Sequence, residues 1–521
     1  MAGFDVAVVG GGHNGLVTAA YLAKAGAKVV VLERRPIVGG ACVTEEPWPG
    51  YRVNTFSYVA GLFRPPIVED LELRRFGYET ILYDPQGFYP FPDGRALVQW
   101  NDTEKSVKEI ARFSKKDAQA FPKYLEFWEG VLDLVEPMLL ASPVPLVDLV
   151  GQFHEGYGGS EELVRRLFLL SAQDFLDEWF ESEELKIALG TSAVIGEMVG
   201  PRTPGTAYVL AHHTIGVLEG NRQVWGFSKG GMGQITQSLA RAAQHFGATI
   251  RTGAGVREVL VQNGRATGVR LESGETVEAR VVASNADAQH TYLELLPRDA
   301  VPPEVVRDVS RIRSRGAALK FNAALDALPN FTAVPDGQLA RYLCGANEIC
   351  PSMEYLEKAY DQGKYGHFSD HPFIDCEIQS ILDPQMAPPG KHVMTCFVQY
   401  APYELKEGNW DDFKPTAAER ILDTFREYAP NIRQVVRNWQ IVSPFDIEQT
   451  LGMTGGNIFQ GNITPDQIFS FRPILGWSNY RTPVKGVYLC GSAAHPGGGV
   501  TGAPGHNAAQ AILEDLPGIP R

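Results

Sequence analysis

The stretch FDVAVVGGGHNGLVTAAYLAKAGAKVVVLE, residues 4–33, decides the fold of this chain. Its apolar start at 4–9 predicts a strand, residues 16–25 predict a helix, and the β-branched run at 28–32 predicts a second strand. Gly10, Gly12 and Gly15 separate the first strand from the helix in the spacing G-x-G-x-x-G, and Glu33 follows the second strand. Together these parts form a complete βαβ dinucleotide-binding fingerprint.

Each residue type in this fingerprint has a physical reason. Gly10 permits the tight turn, Gly12 lets the backbone approach a pyrophosphate, and Gly15 lets the helix pack close to the strand. The helix N-terminus presents free N–H groups to the phosphates, and Glu33 is expected to accept hydrogen bonds from a ribose. The alternative, a glycine turn in another kind of α/β unit, is disfavoured by the complete context.

The residues after Glu33 indicate which dinucleotide is bound. A nicotinamide-binding domain usually continues into another helix, whereas this chain continues with RRPIVGGA, residues 34–41. The second glycine pair resembles the FAD-binding pattern of the large flavin oxidoreductases, in which this loop runs back beneath the pyrophosphate. The resemblance implies that Arg34, Gly40 and Ala41 line the cofactor. For Arg34, a solvated surface charge is an equal alternative.

Composition limits the class of protein. A chain of 521 residues, 44% hydrophobic and 21% charged, predicts a globular protein of two domains. The net charge of −14 argues against nucleic acid as a partner. There is no apolar run of membrane-spanning length, and the first strand leaves no room for a signal peptide. We therefore expect a cytoplasmic location, compatible with peripheral contact to a membrane.

The six cysteines predict neither a redox disulfide nor a metal site, because none of them forms a C-x-x-C pair. We expect buried free thiols. Residues 103–136, 161–180 and 183–189 predict helices that form an inserted region. Its aromatic stripe is expected to be core packing, with an apolar substrate channel as the alternative.

Sheet patterns return in the second half of the chain. Residues 256–261, 266–271 and 275–282 predict antiparallel strands joined by Asn-Gly and Ser-Gly turns. The glycine loop at 230–233 is not a second fingerprint, because no strand, turn and acid follow it, so we expect no stably bound NAD(P)H domain. Residues 317–325 and 392–399 predict further strands, and 415–428 a helix. Lys320, a single charge in an apolar strand, is expected on the exposed face, and the alternative is that it points at a flavin or substrate.

The C-terminal residues supply a second glycine-rich signal. A strand at 486–491 leads into SAAHPGGGVTG, residues 492–502, and then into a helix predicted at 507–516. The N-terminus of that helix would point at the pyrimidine end of an isoalloxazine, where reduced flavin is anionic. His495 and His506 flank the loop, and a structural hydrogen bond is expected for both, with a flavin or substrate contact of His495 as the alternative.

These motifs together resemble the phytoene desaturase-like FAD oxidoreductases, and within them the pyridine nucleotide-disulfide oxidoreductase domain-containing proteins. The resemblance rests on the N-terminal fingerprint, the Gly-Gly-Met-Gly loop, SNAD at 284–287, FSFRP at 469–473, SNYRTPV at 478–484 and YLCGSAAHPGGGV at 488–500. Carotenoid desaturases, ketolases, isomerases and retinol saturases are similar. The missing cysteine pair means that the disulfide in the family name does not guide the mechanism.

The resemblance implies an α/β fold with a discontinuous Rossmann-type FAD-binding domain and a substrate domain of mixed sheet plus helices. It assigns residues 1–100, 220–300 and 451–521 to the FAD-binding domain, and 101–219 and 301–450 to the substrate domain. Noncovalent FAD is the implied cofactor. Besides the residues named above, the implied contacts to FAD are Gly231, Met232, Val256, Asn285, Gly491, Gly499 and Val500.

The resemblance implies hydride transfer between flavin N5 and a C–H bond of a hydrophobic, polyene or isoprenoid-like substrate, as in a desaturase or dehydrogenase. The electron acceptor, oxygen or a quinone, the oligomeric state and the direction of reaction are not readable. No acid–base pair is apparent, which suits hydride abstraction assisted by charge stabilisation. Lys320 and His495 are the catalytic candidates. The alternatives are a flavin-dependent isomerase or ketolase, and an FAD-binding protein with a non-catalytic, partner-binding role.

Overall fold

The computed structural model describes residues 3–145, 147–149, 151 and 160–518. Among these residues, there is no helix with the length and apolar character needed to cross a membrane. The strands are, in chain order, β1 (Phe4–Val9), β2 (Val29–Leu32), β3 (Thr44–Trp48), β4 (Tyr51–Asn54), β5 (Thr80–Leu82), β6 (Gly87–Pro90), β7 (Ala96–Gln99), β8 (Val217–Leu218), β9 (Asn221–Arg222), β10 (Gly226–Ser228), β11 (Thr249–Arg251), β12 (Val256–Gln262), β13 (Arg265–Leu271), β14 (Thr276–Ser284), β15 (Ala318–Leu325), β16 (Ala346–Ile349), β17 (Phe373–Glu377), β18 (His392–Gln399), β19 (Val436–Val442) and β20 (Val487–Leu489).

The α-helices connect these strands and form the inserted region between β7 and β8. They span His13–Lys24, Pro65–Asp70, Thr103–Ile110, Lys115–Leu139, Ser160–Val164, Ala172–Asp177, Glu183–Gly190, Thr206–Thr214, Gly233–His245, Ala288–His290, Pro303–Val309, Leu339–Tyr342, Met353–Lys364, Trp410–Tyr428, Ile432–Val435, Pro444–Leu451 and Ala503–Asp515.

The first sheet has a parallel centre. Its strand order is β11-β2-β1-β14-β13-β12, and β20 pairs with β14 beside β13. The register sets Val8 opposite Val31 on one side and opposite Ala283 on the other. Parallel strands are covered on both faces, which is why β1 and β2 read as nearly continuous apolar runs. The sheet joins three stretches that are far apart in the sequence, and its Rossmann-type centre is as predicted.

The second sheet is mixed, with the order β19-β15-β18-β17-β16-β6-β7. Neighbouring strands are antiparallel except for β6 and β16, which are parallel. Because β6 and β7 belong to this sheet, sheet membership changes before residue 100, where the sequence places the domain boundary. The physical reason is the open edge of β16, whose backbone groups need partners that β6 supplies.

The inserted helices pack around a core of their own. Phe121, Tyr124, Trp128 and Phe175 are all buried there. The ring of Trp128 meets that of Phe175 with 5.6 Å between centroids. The aromatic stripe of this region is therefore core packing.

Two helix boundaries differ from the sequence-based expectation. The segment expected as one helix over 103–136 is two helices, because Asp102 and Ser114 each cap a new N-terminus by accepting backbone N–H groups. The last helix begins at Ala503 rather than at 507, with Pro504 in its first turn, where a missing N–H costs nothing.

Candidate functional site

A cavity of about 460 Å³ lies between the two sheets. The glycine turn after β1 lines one end, and Lys320 of β15 lines the other. Apolar and aromatic side chains line much of the wall near Lys320, namely Phe56, Tyr58, Val59, Leu62, Ile195, Trp225, Phe397, Ile458 and Phe459. The cavity thus joins a backbone-rich end to an apolar end.

The glycine turn is built so that backbone lies open to the cavity. Gly10 has φ +91°, a conformation that other residues rarely adopt. A Cβ on Gly12 would lie 2.8 Å from Asn285 Nδ2, and one on Gly15 would lie 2.3 Å from the carbonyl oxygen of Gly10. The helix begins at His13 without a side-chain cap, which leaves N–H groups for an anionic ligand.

Glu33 ends β2 and is buried beside the turn. Its two carboxylate oxygens each accept a backbone N–H, one from Gly11 and one from Arg35, both at 2.7 Å. These bonds fix the carboxylate at the edge of the cavity, where a ribose hydroxyl is expected.

The loop after Glu33 contains no helix before β3. It returns to the glycine turn, where the N–H of Gly39 donates to the carbonyl oxygen of Gly11 at 2.9 Å. This is the path expected for an FAD-type loop. Arg34 is exposed, yet its Nη2 donates to the carbonyl oxygen of Thr450 at 2.9 Å. Arg34 therefore ties the helix Pro444–Leu451 to this end of the cavity.

Most of the residues predicted to contact the cofactor line this cavity. They are Gly10, Gly12, Glu33, Arg34, Gly40, Ala41, Val256, Asn285, Gly499 and Val500. The cofactor contacts themselves stay predictions.

The other predicted residues lie outside the cavity lining and act on its walls. Gly15 permits the close approach of helix and strand described above. The N–H of Met232, which follows Gly231, donates to Asn54 Oδ1 at 2.8 Å and so holds the loop after β4. A Cβ on Gly491 would lie 2.7 Å from the carbonyl oxygen of Asn285. Sequence patterns do not separate such packing glycines from glycines that face a ligand.

Lys320 is buried, with 3% of its surface exposed, so the expectation that it lies on an exposed face is wrong. The alternation of polar and apolar residues along β15 is real, but residues 54–58 cover the polar face. Asn322 Nδ2 donates to the carbonyl oxygen of Thr55 at 3.3 Å, and Thr395 Oγ1 donates to Asn322 Oδ1 at 2.6 Å. A polar strand face predicts water only when no other segment covers it.

The Lys320 amine lies over an aromatic ring at the end of the cavity. Its Nζ is 3.9 Å from the ring centroid of Tyr58, which stacks on Phe397 at 5.4 Å. Among the described residues, Nζ has no hydrogen-bond acceptor. Burial lowers the pKa of Lys320 to about 8, and nearby Glu377 opposes this shift. A fraction of the amine is therefore neutral near physiological pH, as a proton acceptor requires.

His495 does not line this cavity. Its ring Nε2 donates to the carbonyl oxygen of Met138 at 3.1 Å, which is the structural hydrogen bond expected from the sequence. Burial lowers its pKa to about 4, so the ring is neutral. His13, which sequence reasoning did not select, does line the cavity, and burial lowers its pKa to about 4 as well.

The cysteines form no bridge within the described residues. All six are free and buried. The described part of the chain also contains no cluster of three or more His, Cys, Asp or Glu side chains suited to a metal ion.

The residues present fit FAD. A dinucleotide needs open backbone at the pyrophosphate and an acid at the ribose, and both are found where the cavity begins. Added Cβ atoms at Gly12 and Gly15 would obstruct this cradle. The cavity then continues to Val500 and Lys320, which gives room for a ring system between the sheets.

Comparison with known proteins places the chain. Residues 8–76 match a family model described as NAD(P)-binding Rossmann-like domain. The chain is 41% identical to pyridine nucleotide-disulfide oxidoreductase domain-containing protein 2 of Rattus norvegicus, over 98% of this chain and 94% of that protein. It is 28% identical to a limonene dehydrogenase protein of Castellaniella defragrans (98% and 95% covered) and 27% identical to the lycopene-forming phytoene desaturase of Pseudescherichia vulneris (98% and 99%).

The fold is also similar to solved structures. An oxidoreductase from Methanosarcina mazei superimposes with a TM-score of 0.62 at 18% identity, over 98% of this chain and 99% of that one. From the relatives and the fingerprint, the chain belongs to the family of pyridine nucleotide-disulfide oxidoreductase domain-containing protein 2, within the phytoene desaturase-like FAD-dependent oxidoreductases.

Proposed function

We propose that this protein is an FAD-dependent dehydrogenase of a hydrophobic alkene, of polyene or isoprenoid type. The observation that carries the proposal is the continuous cavity, which runs from the glycine turn to an apolar wall that includes Phe397 and Phe459. Apolar lining favours a hydrocarbon over a polar substrate, because each buried apolar contact gains free energy without an unmet hydrogen bond. The names of two relatives, a limonene dehydrogenase and a phytoene desaturase, agree with this substrate class.

When bound, FAD would supply the hydride chemistry, and the substrate would also lose a proton. The side chains at the apolar end have distinct tasks in this scheme. Tyr58 and Phe397 hold the substrate and exclude water, and Lys320 accepts the proton at Nζ. The structure therefore offers a base that the sequence did not reveal.

The proposal extends to partners and location. The electron acceptor is oxygen or a quinone, and the protein works in the cytoplasm with peripheral contact to a membrane that supplies the apolar substrate. Reoxidation rates with oxygen and with a soluble quinone analogue separate the two acceptors, and flotation with vesicles tests the membrane contact.

The central experiment uses purified protein loaded with FAD under anaerobic conditions. A panel of acyclic polyenes and isoprenoid hydrocarbons is added, with a short-chain polar alcohol as the control. We expect the oxidised flavin band to bleach with an apolar alkene, and mass spectrometry to show a product that has lost a pair of hydrogens.

Three other outcomes contradict the proposal in different ways. A rearranged alkene formed with no acceptor indicates an isomerase. Substrate formed in reverse, by photoreduced protein and a polyene, indicates a saturase. Bound FAD without reaction in either direction favours the partner-binding role.

A further inference from the structure

The covered face of the second sheet carries a row of titratable groups behind Tyr58. Strand register places Lys320 opposite Phe397, Phe397 opposite Asp375, and Asp375 opposite Glu348. Residues directly opposite each other in a sheet share a face, as do residues two apart along a strand. Glu377 therefore lies on the same face as Asp375.

These carboxyl groups are buried with few donors. Exposed surface is 7% for Asp375, 1% for Glu377 and 9% for Glu348. Tyr58 Oη donates to Asp375 Oδ2 at 2.7 Å. Within the described residues, no donor reaches Asp375 Oδ1, either oxygen of Glu377, or Oε2 of Glu348.

Asp375 and Glu377 lie within hydrogen-bonding reach of each other. A hydrogen bond between two carboxyl groups requires that one of them carries a proton, because two buried carboxylates in contact repel strongly. Burial raises the pKa of Asp375 and raises that of Glu377 and Glu348 well above the ordinary value. The pair therefore holds a proton at neutral pH.

We propose that Lys320, Asp375 and Glu377 form a buried proton-exchange unit, in which one proton moves between the lysine amine and the carboxyl pair when the charge in the cavity changes. In one state the amine is neutral and the pair holds the proton. In the other state an O–H bond has broken and an N–H bond has formed, which leaves an ammonium near a carboxylate. No electron is gained or lost.

The other groups that face this unit do not compete for the proton. The phenols of Tyr58, Tyr83 and Tyr89 have pKa values raised well above the ordinary value by burial, and so stay neutral. Cys376 of β17 is likewise neutral, since burial raises its pKa well above that of a free thiol. Cys396 of β18 lies opposite it in the sheet.

The unit deepens the proposed function, on which it rests for the charge that arises in the cavity. An ammonium at Lys320 stabilises an anion in the cavity, and a neutral amine accepts a proton there. A store of one proton lets the same side chain serve both tasks without exchange with bulk water.

Infrared difference spectroscopy tests the unit without any substrate. Protein loaded with FAD is reduced by light in the cell, and the reduced-minus-oxidised spectrum is recorded in H₂O and in D₂O. We expect a negative band of a protonated carboxyl C=O that shifts down in D₂O and disappears in Asp375→Asn and in Glu377→Gln. Glu197→Gln is the matched control, because Glu197 is a buried carboxyl whose pKa burial raises to about 8, and the band should persist there.

Complete reduction with no carboxyl band, or a band unchanged in both variants, would overturn the proposal. Failure to oxidise any alkene leaves this experiment unaffected, so the two failures are distinguishable. A second measurement needs no cofactor: ¹⁵N NMR of lysine-labelled protein. The pKa of Lys320 should fall in Glu377→Gln, which loses a carboxylate partner, and stay unchanged in Glu197→Gln. Equal lysine pKa values in wild type and Glu377→Gln would also count against the unit.

Discussion

The parallel sheet meets the cavity mainly with backbone atoms, whereas the mixed sheet meets it with side chains. At the end of β1, the groups that face the cavity are those of Gly10 and Gly12 and the first N–H groups of a helix. On β15 and β18, they are the side chains of Lys320 and Phe397.

The difference sets how each end can be broken. A backbone site depends on the absence of Cβ atoms, so it is sensitive to volume. A side-chain site depends on charge and on proton position, so it is sensitive to isosteric changes that leave volume alone. The following substitutions separate the two kinds of end.

The largest effect is expected for Gly15→Ala. Its new Cβ would lie 2.3 Å from a backbone carbonyl oxygen, which cannot move as a side chain can. Overpacking of this kind costs about 1–3 kcal/mol, and here it would also distort the phosphate cradle. We expect FAD to be lost and the Tm to fall, measured by flavin content and thermal unfolding.

Two further variants bracket this result. The new Cβ of Gly12→Ala meets the side-chain amide of Asn285, so this variant should lose FAD with a smaller loss of Tm. Gly518→Ala, where an added methyl group meets nothing within 4 Å, should change neither quantity. Full FAD occupancy in Gly15→Ala would show that the cradle does not bind the pyrophosphate.

At the other end, Lys320→Met keeps side-chain length and removes the amine. Loss of a general base lowers the rate by roughly 100-fold or more. We expect the anaerobic rate of flavin reduction by substrate to fall by this factor while FAD content stays unchanged. The exposed Lys485→Met is the control. A wild-type rate in Lys320→Met would exclude Lys320 as the proton acceptor.

The pH profile sharpens the same point. The amine accepts a proton only when neutral, and its pKa is lowered to about 8. The rate of flavin reduction should therefore rise with pH and level off above that value. In Glu377→Gln the rise should move to lower pH, because the ammonium loses a nearby carboxylate. A profile that is flat across the neutral and alkaline range would not fit this assignment.

Tyr58→Phe gives a smaller effect on stability. It keeps the ring between Lys320 and Phe397 but removes the hydrogen bond to Asp375. Leaving a buried carboxyl oxygen without that donor costs about 1–3 kcal/mol. Urea unfolding of the holoprotein measures the loss, and FAD content should not change. A stability equal to wild type would indicate that Asp375 finds another donor.

The smallest effect is expected for His495→Gln. The ring donates to the carbonyl oxygen of Met138 outside the cavity, and a single such bond contributes about 1 kcal/mol. The reduction rate and its pH profile should match wild type. A changed profile would make His495 a catalytic candidate again.

The backbone end was predictable from the sequence because its parts are contiguous. Strand, glycine turn, helix and Glu33 fall within thirty residues, and glycine spacing encodes backbone conformation directly. The return of the loop to Gly11 also followed from the second glycine pair.

The side-chain end was not predictable, because it depends on strand register. Lys320, Glu348, Asp375 and Glu377 come from three strands, and no local pattern states that β15 and β17 both pair with β18. The alternation along β15 correctly indicated a polar face. Only the position of residues 54–58, far away in the sequence, shows that this face is covered.

A crystal structure of the FAD-bound protein tests the account most directly. We predict the pyrophosphate at Gly10 and Gly12, the ribose at Glu33, and the isoalloxazine ring at the Lys320 end of the cavity. A ring that lies away from Lys320, or a dinucleotide bound outside this cavity, would contradict the account.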